Sequence, residues 1–194
     1  VSSPAVRHDD PKLGAVMTAA LGVFGRYGFK KTSMDAVAKA ANISRPGLYL
    51  LFSSKDELYR ATMQGVLQRA QDAAETHLAD ETLSFERRIV EALDELIGQY
   101  VETQVARDID QLLESSEAQL GSMLHDYREK GQAALGAAIT SLAPPGVLTE
   151  DLTADQVTDI LFAASLSWKH QAATRTDFRD RVGRLVRLIC RAAD

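Results

Sequence analysis

Residues 32–58 read "TSMDAVAKAANISRPGLYLLFSSKDEL", and this stretch decides the fold. Thr32 and Ser33 precede "MDAVAKAA", an apolar-periodic run with Asp35 near the positive end of a helix dipole. "ANI" follows, and Ser44 then opens "RPGLYLLF", a second short helix with a proline where the first turn tolerates one. Two short helices joined by a brief turn outline a helix-turn-helix. Beyond it, Ser54-Lys55-Asp56-Glu57 has the spacing of a capping box: Ser54 is expected to accept from the Glu57 amide, and Glu57 to reach back to the Ser54 amide.

In such a pair the second helix enters the major groove, leading with its N-terminal residues. "SRPGLY" suits that task. Ser44 can cap the helix or hold a phosphate, and Arg45 can fork onto the O6 and N7 of a guanine. Pro46 and Gly47 project little, so the backbone can approach base edges, with the Pro46 ring against a thymine methyl. Tyr49, one turn on, can offer its hydroxyl to a phosphate. Lys55 adds charge beside the first amides of the following helix, and Thr32 and Ser33 serve the helix before in the same way. Helix pairs of this size also occur in purely structural bundles.

Charge helps separate the two readings. The net charge of −5 alone argues against a nucleic-acid partner. Its distribution does not: residues 1–55 hold eight Lys/Arg against three Asp, and the remainder holds 14 basic against 24 acidic residues. A basic head on an acidic body suits an anionic partner of the head.

Outward from this stretch the chain reads as helix nearly throughout. Pro11 after Asp10 starts a first helix carrying Val16, Ala20, Val23, Phe24 and Tyr27, with Gly28 as its stop. The helix opened by Ser54 runs toward Leu78, and Ser84 opens another with Ile89, Leu93, Leu96, Ile97 and Tyr100. Residues 106–142 read as a short helix and then a long one. Pro144-Pro145-Gly146 breaks the pattern, and Thr153-x-x-Gln156, a second capping box, opens a helix to about residue 172. A last helix covers about 175–193. The expected fold is all-α, about nine helices, with a three-helix head (1–55) on a larger helical body (56–194).

The remaining features bound the function. Cys190 is the single cysteine, so no internal disulfide forms. No apolar run approaches the roughly 20 residues that span a membrane, and "VSSPAVRHDD" has no signal-peptide core. A cytoplasmic protein is expected. The four histidines form no HExxH pair and no repeated Glu-x-x-His, and GxSxG, GxGxxG and P-loop patterns are absent. No enzyme activity, metal or cofactor is expected. A helical adaptor that binds only protein is the alternative; it accounts for the acidic body but not for Arg45-Pro46-Gly47 on a basic head.

Residues 13–58 resemble the DNA-binding region of the tetracycline-repressor (TetR) family of bacterial regulators. The likeness rests on Phe24-x-x-x-Gly28-Phe29, Thr32-Ser33-Met34-x-x-Val37-Ala38, Ile43-Ser44, Leu48-Tyr49-x-x-Phe52 and Lys55-x-x-Leu58. Two positions depart from the pattern: Asn42 stands where the family usually has glycine, and Leu50-Leu51 where it often has His-Tyr. Asn tolerates the left-handed conformation, so the turn survives; Leu50 cannot bond a phosphate. The resemblance implies base contacts from Arg45, Pro46 and Gly47, and phosphate contacts from Thr32, Ser33, Ser44, Tyr49 and Lys55. Arg7 and Lys12 would reach the flanking backbone. It further implies a homodimer through the last two helices (about 154–172 and 175–193) reading a palindrome in double-stranded DNA, most simply as a repressor. A small-molecule effector would bind in the body, with Tyr100, Leu113, Met123, His125, Tyr127, Phe162 and Trp168 as candidate contacts, and the helix after the head as the lever between the two.

Overall fold

The computed structural model describes residues 11–101, 121–143, 148 and 152–189. Among them lie eight α-helices: α1 (Pro11–Lys31), α2 (Met34–Ala40), α3 (Arg45–Leu51), α4 (Lys55–Ala79), α5 (Phe85–Leu96), α6 (Gly121–Leu142), α7 (Ala154–Gln171) and α8 (Arg175–Ile189). A single 3₁₀ turn, Gly98–Tyr100, follows α5. The short helix expected after residue 106 lies outside the described residues, as do Asp10, Arg7 and Cys190.

The head forms as its sequence dictates. Ser33 caps α2 by accepting from the Ala36 amide at 3.1 Å, and Ser44 caps α3 by accepting from the Gly47 amide at 3.1 Å. Between them, the Asn42 amide bonds the Lys39 carbonyl (3.2 Å) and the Ile43 amide bonds the Ala38 carbonyl (3.0 Å). That pair of bonds is a Schellman ending, which requires a left-handed residue between the helix and Ile43. Asn42 fills it at φ 53°. Gly28 stops the regular helix as expected: it takes the non-helical φ 75°, ψ 163°, and a short helical stretch follows across this kink to Lys31. The kink turns Phe29 back onto the core, where Tyr59 of α4 meets Phe24 edge-on at 4.8 Å and Phe29 at 4.9 Å. Lys55 fastens the same corner. Its ammonium donates to the Phe29 carbonyl at 2.9 Å and lies 4.3 Å from the Phe29 ring centre.

The start of α4 corrects one expectation. Ser54 does accept from the Glu57 amide (3.1 Å), but the Glu57 carboxylate reaches one residue further back, taking the Ser53 amide (2.7 Å) and hydroxyl (2.5 Å). Those two donors hold the Glu57 pKa below its usual value. Asp177 repeats the pattern at α8, where it accepts from the Ala173 amide at 3.0 Å while Thr174 caps the Asp177 amide. At α7 the capping box is complete: Thr153 and Gln156 each accept from the other's amide.

One hydrophobic core runs from Leu13 in the head to Ile189 in α8. α4 belongs to both parts. It packs on α1 in the head, where Gly65 lies so close to the Met17 methyl that a Cβ there would sit 2.8 Å away, and on α5 and α6 in the body. In the body, α5 and α8 join through charged side chains. The Asp94 carboxylate is completely buried and receives Arg175 Nε at 3.0 Å on both oxygens and Arg179 Nη1 at 2.8 Å. Glu95 pairs with Arg175, Glu91 with Arg179, and Glu86 with Arg187.

Candidate nucleic-acid interface and effector cavity

α3 is held from one side only. Leu48 and Phe52 are buried in the head core, and Leu51 packs half-buried against it. Arg45, Pro46, Tyr49 and Leu50 are exposed, Leu50 at 88% and Tyr49 at 42%. The Arg45 guanidinium rests 5.7 Å from the centre of the Tyr49 ring, an exposed cation–π contact of about 0.5–1 kcal/mol that a stronger anionic or base-edge partner can displace. Gly47 has a reason the sequence did not reveal. A Cβ there would stand 3.0 Å from the Ser44 Oγ, so a side chain would press on the hydroxyl that caps the helix.

The expected phosphate ligands divide by what their hydrogens do. Ser33 and Ser44 are exposed and use an oxygen lone pair for capping, which leaves each hydroxyl hydrogen able to donate. Thr32 does the reverse. It is buried, its hydroxyl donates to the Gly28 carbonyl at 2.8 Å, and its amide bonds the Phe29 carbonyl at 3.3 Å. A phosphate needs donors, and both of Thr32's are spent inside the head, so its place in the contact set is withdrawn. Lys55 is half-buried and gives one of its three hydrogens to Phe29, leaving two. Lys30 and Lys31 are exposed at the end of α1, beside Ser33. The sequence counted them only as charge, because their position follows from the Gly28 kink.

In the body, three candidates for effector contact meet. Tyr100, Tyr127 and Phe162 line one small apolar cavity of about 40 Å³ with Leu67, Leu96 and Ile97. The Tyr127 hydroxyl donates to the Leu96 carbonyl at 2.8 Å and lies beside that of Tyr100. Burial raises both phenols above their ordinary range, Tyr100 to about 12. Tyr127 and Leu67 also form the wall of a larger, open and polar groove of about 510 Å³ between α4 and α6, where Met123 lies with Arg60, Gln71 and Lys130. Trp168 is half-buried and lines neither space; His125 is exposed and pairs with Glu129 at 3.3 Å. Leu113 lies outside the described residues. Among the described residues no cluster of His, Cys, Asp and Glu could hold a metal, and no helix is long and apolar enough to cross a membrane.

Comparison with known proteins bears on the head and on the fold separately. Residues 16–62 match the family described as "Bacterial regulatory proteins, tetR family". An uncharacterised HTH-type transcriptional regulator of Bacillus subtilis, YfiR, is 39% identical over 64 residues, which cover 32% of this chain and 31% of the relative. The HTH-type transcriptional activator FasR of Mycolicibacterium smegmatis is 44% identical over 55 residues, 28% of this chain and 25% of FasR. The chain thus spans about a third or less of the length of these curated relatives. Over nearly the full length the likeness is structural: a TetR transcription regulator from Haloarcula marismortui superimposes with a TM-score of 0.75 at 18% identity, covering 93% of this chain and 98% of that one. At that identity it shows a shared fold.

Proposed function

We propose, from the match of residues 16–62 to the tetR family of bacterial regulatory proteins, that the protein is a dimeric, effector-responsive transcriptional regulator that reads a palindromic operator. The observation that carries the reading is the outward face of α3: Arg45, Pro46 and Tyr49 are exposed while the opposite face anchors the helix in the core. Arg45 reads a guanine, Pro46 and Gly47 admit the groove edge, and Ser33, Ser44, Tyr49 and Lys55 hold phosphates. Selecting bound duplexes from random DNA tests this. Arg45→Ala is expected to relax preference at one base pair per half-site, and Lys55→Ala to weaken all sequences alike. Loss of affinity in Arg45→Ala with unchanged preference removes Arg45 from the reading role.

One head makes few contacts, so two are needed, with half-sites about 34–36 Å apart. α7 and α8 are the proposed dimer surface. In support, Leu188 is 80% exposed and Ile160 40% exposed on these helices, and Leu185 and Trp168 are half-buried beside them. Repression is the simpler mode, since a protein seated on an operator blocks other proteins; transcription of a reporter with and without the regulator fixes the sign. A protein-only adaptor predicts no salt-sensitive, sequence-specific DNA binding.

The proposed effector site is the groove walled by Tyr127 together with the cavity behind it. The cavity alone is far smaller than the roughly 300–1,000 Å³ typical of ligand pockets, whereas the groove falls within that range. An effector acts only through its preference for the arrangement of heads that does not fit the operator.

A further inference from the structure

We propose that Leu50 is a specificity-determining residue that reads a thymine 5-methyl group, so that α3 carries two parallel reading edges of different chemistry. This rests on the DNA-reading function proposed above. Leu50 is 88% exposed, although its neighbours Leu48 and Phe52 are almost wholly buried. An exposed leucine alone carries no message. Its position does. Residues advance 100° around a helix, so Arg45 and Tyr49 lie about 40° apart on one edge, while Pro46 and Leu50 lie about 40° apart on the next. The first edge is cationic and aromatic, with the guanidinium resting over the ring. The second edge is wholly apolar, and on it Pro46 is exposed like Leu50.

An apolar side chain gains nothing from a phosphate. In the major groove the apolar feature is the methyl at C5 of thymine. Pro46 and Leu50 stand about 6 Å apart along the helix axis, against a base step of about 3.4 Å. The edge therefore spans up to two base steps, with Pro46 nearer the groove floor at the helix tip and Leu50 toward the rim. The departure that removes a phosphate contact at position 50 thus adds a base contact. The same methyl occurs on 5-methylcytosine, which gives the experiment a second arm.

The test uses the full chain and the sites it selects from random duplex DNA. Each thymine in a selected half-site is replaced singly by uracil, which removes only the methyl, and binding is measured for the wild type, Leu50→Ala and Arg45→Ala. Besides any thymine against Pro46, one thymine per half-site is expected to lose about fourfold in wild-type affinity as uracil through Leu50. Leu50→Ala should bind thymine and uracil there equally while keeping the guanine preference that Arg45→Ala loses. Cytosine at that position should be partly rescued by 5-methylation in the wild type and not in Leu50→Ala. The proposal is overturned if no thymine in a selected site is methyl-sensitive in the wild type. It is also overturned if Leu50→Ala, shown folded by its helical circular dichroism, retains the full thymine preference or loses all sequences equally, as a protein-docking leucine would. Failure of the wild type to select any sequence sinks the regulator reading itself and is distinct from these results.

Discussion

Removing both arginines that face Asp94 is expected to destabilise the protein more than removing Asp94. The Asp94 carboxylate has no exposed surface and receives three short bonds from two guanidinium groups, whereas the Arg175 and Arg179 side chains are 47% and 32% exposed. Without Asp94 the two arginines can turn to water and to Glu95 and Glu91, so Asp94→Asn loses mainly charge assistance, about 1–3 kcal/mol. Without the arginines the carboxylate has nowhere to go. Arg175→Met/Arg179→Met therefore strands a buried charge, at about 3–5 kcal/mol. Adding Asp94→Leu to that double variant should restore most of the loss, because an apolar trio of similar volume needs no partner. Denaturant midpoints at one protein concentration and near-neutral pH, with unchanged m values, read all three. Equal costs for the arginine pair and for Asp94, or no recovery in the triple variant, would refute the view that the carboxylate depends on the guanidinium groups.

The other expectations concern single residues. Gly98→Ala should destabilise by about 3 kcal/mol or more, since a Cβ would stand 2.6 Å from the Phe178 ring and press on Asp94; thermal melting reads it. Asn42→Ala should cost about 1–2 kcal/mol, while Asn42→Gly is neutral or stabilising, because φ 53° is strained for alanine and free for glycine. For Glu91, burial raises the pKa, but the bonds and charges of Arg179 and Arg87 outweigh it and leave the pKa below its ordinary value of 4.5. Its stabilisation is therefore complete above that value and lost as pH falls through the lowered one. Unfolding curves from pH 6 to pH 3 should show a shallower acid loss in Glu91→Gln. Tyr127→Phe should cost about 1 kcal/mol through the lost bond to the Leu96 carbonyl.

What the sequence made legible was local. Ser33, Ser44, Ser54, Ser84 and Thr153 all cap helices where their spacing to the following amide predicts it, and Asn42 takes the left-handed turn expected of it. These are decisions made within four residues. The misjudged details depend on where the chain goes next. Thr32 faces inward because Gly28 kinks α1 and presents a carbonyl to its hydroxyl. Lys55 is shared with Phe29, 26 residues earlier, which no spacing rule anticipates. Glu57 prefers Ser53 because that residue offers both an amide and a hydroxyl. Of the effector candidates, Tyr100, Tyr127 and Phe162 converge because α6 and α7 lie side by side, α6 against α5 and α7 against the 3₁₀ turn that follows it, a matter of tertiary packing that an apolar stripe leaves open.

The corner formed by Lys55, Phe29 and Tyr59 has a mechanical consequence. It ties the end of α1 to the first turns of α4, so a tilt of α4 would carry the head with it. With 25 residues, α4 is roughly 37 Å long, and a tilt of about 5° about its far end carries the head roughly 3 Å, close to one base step. On the effector site proposed above, gearing of that kind would turn a side-chain-sized push beside Tyr127 into a whole register of the duplex, and loosening the corner would let the push dissipate before it arrives.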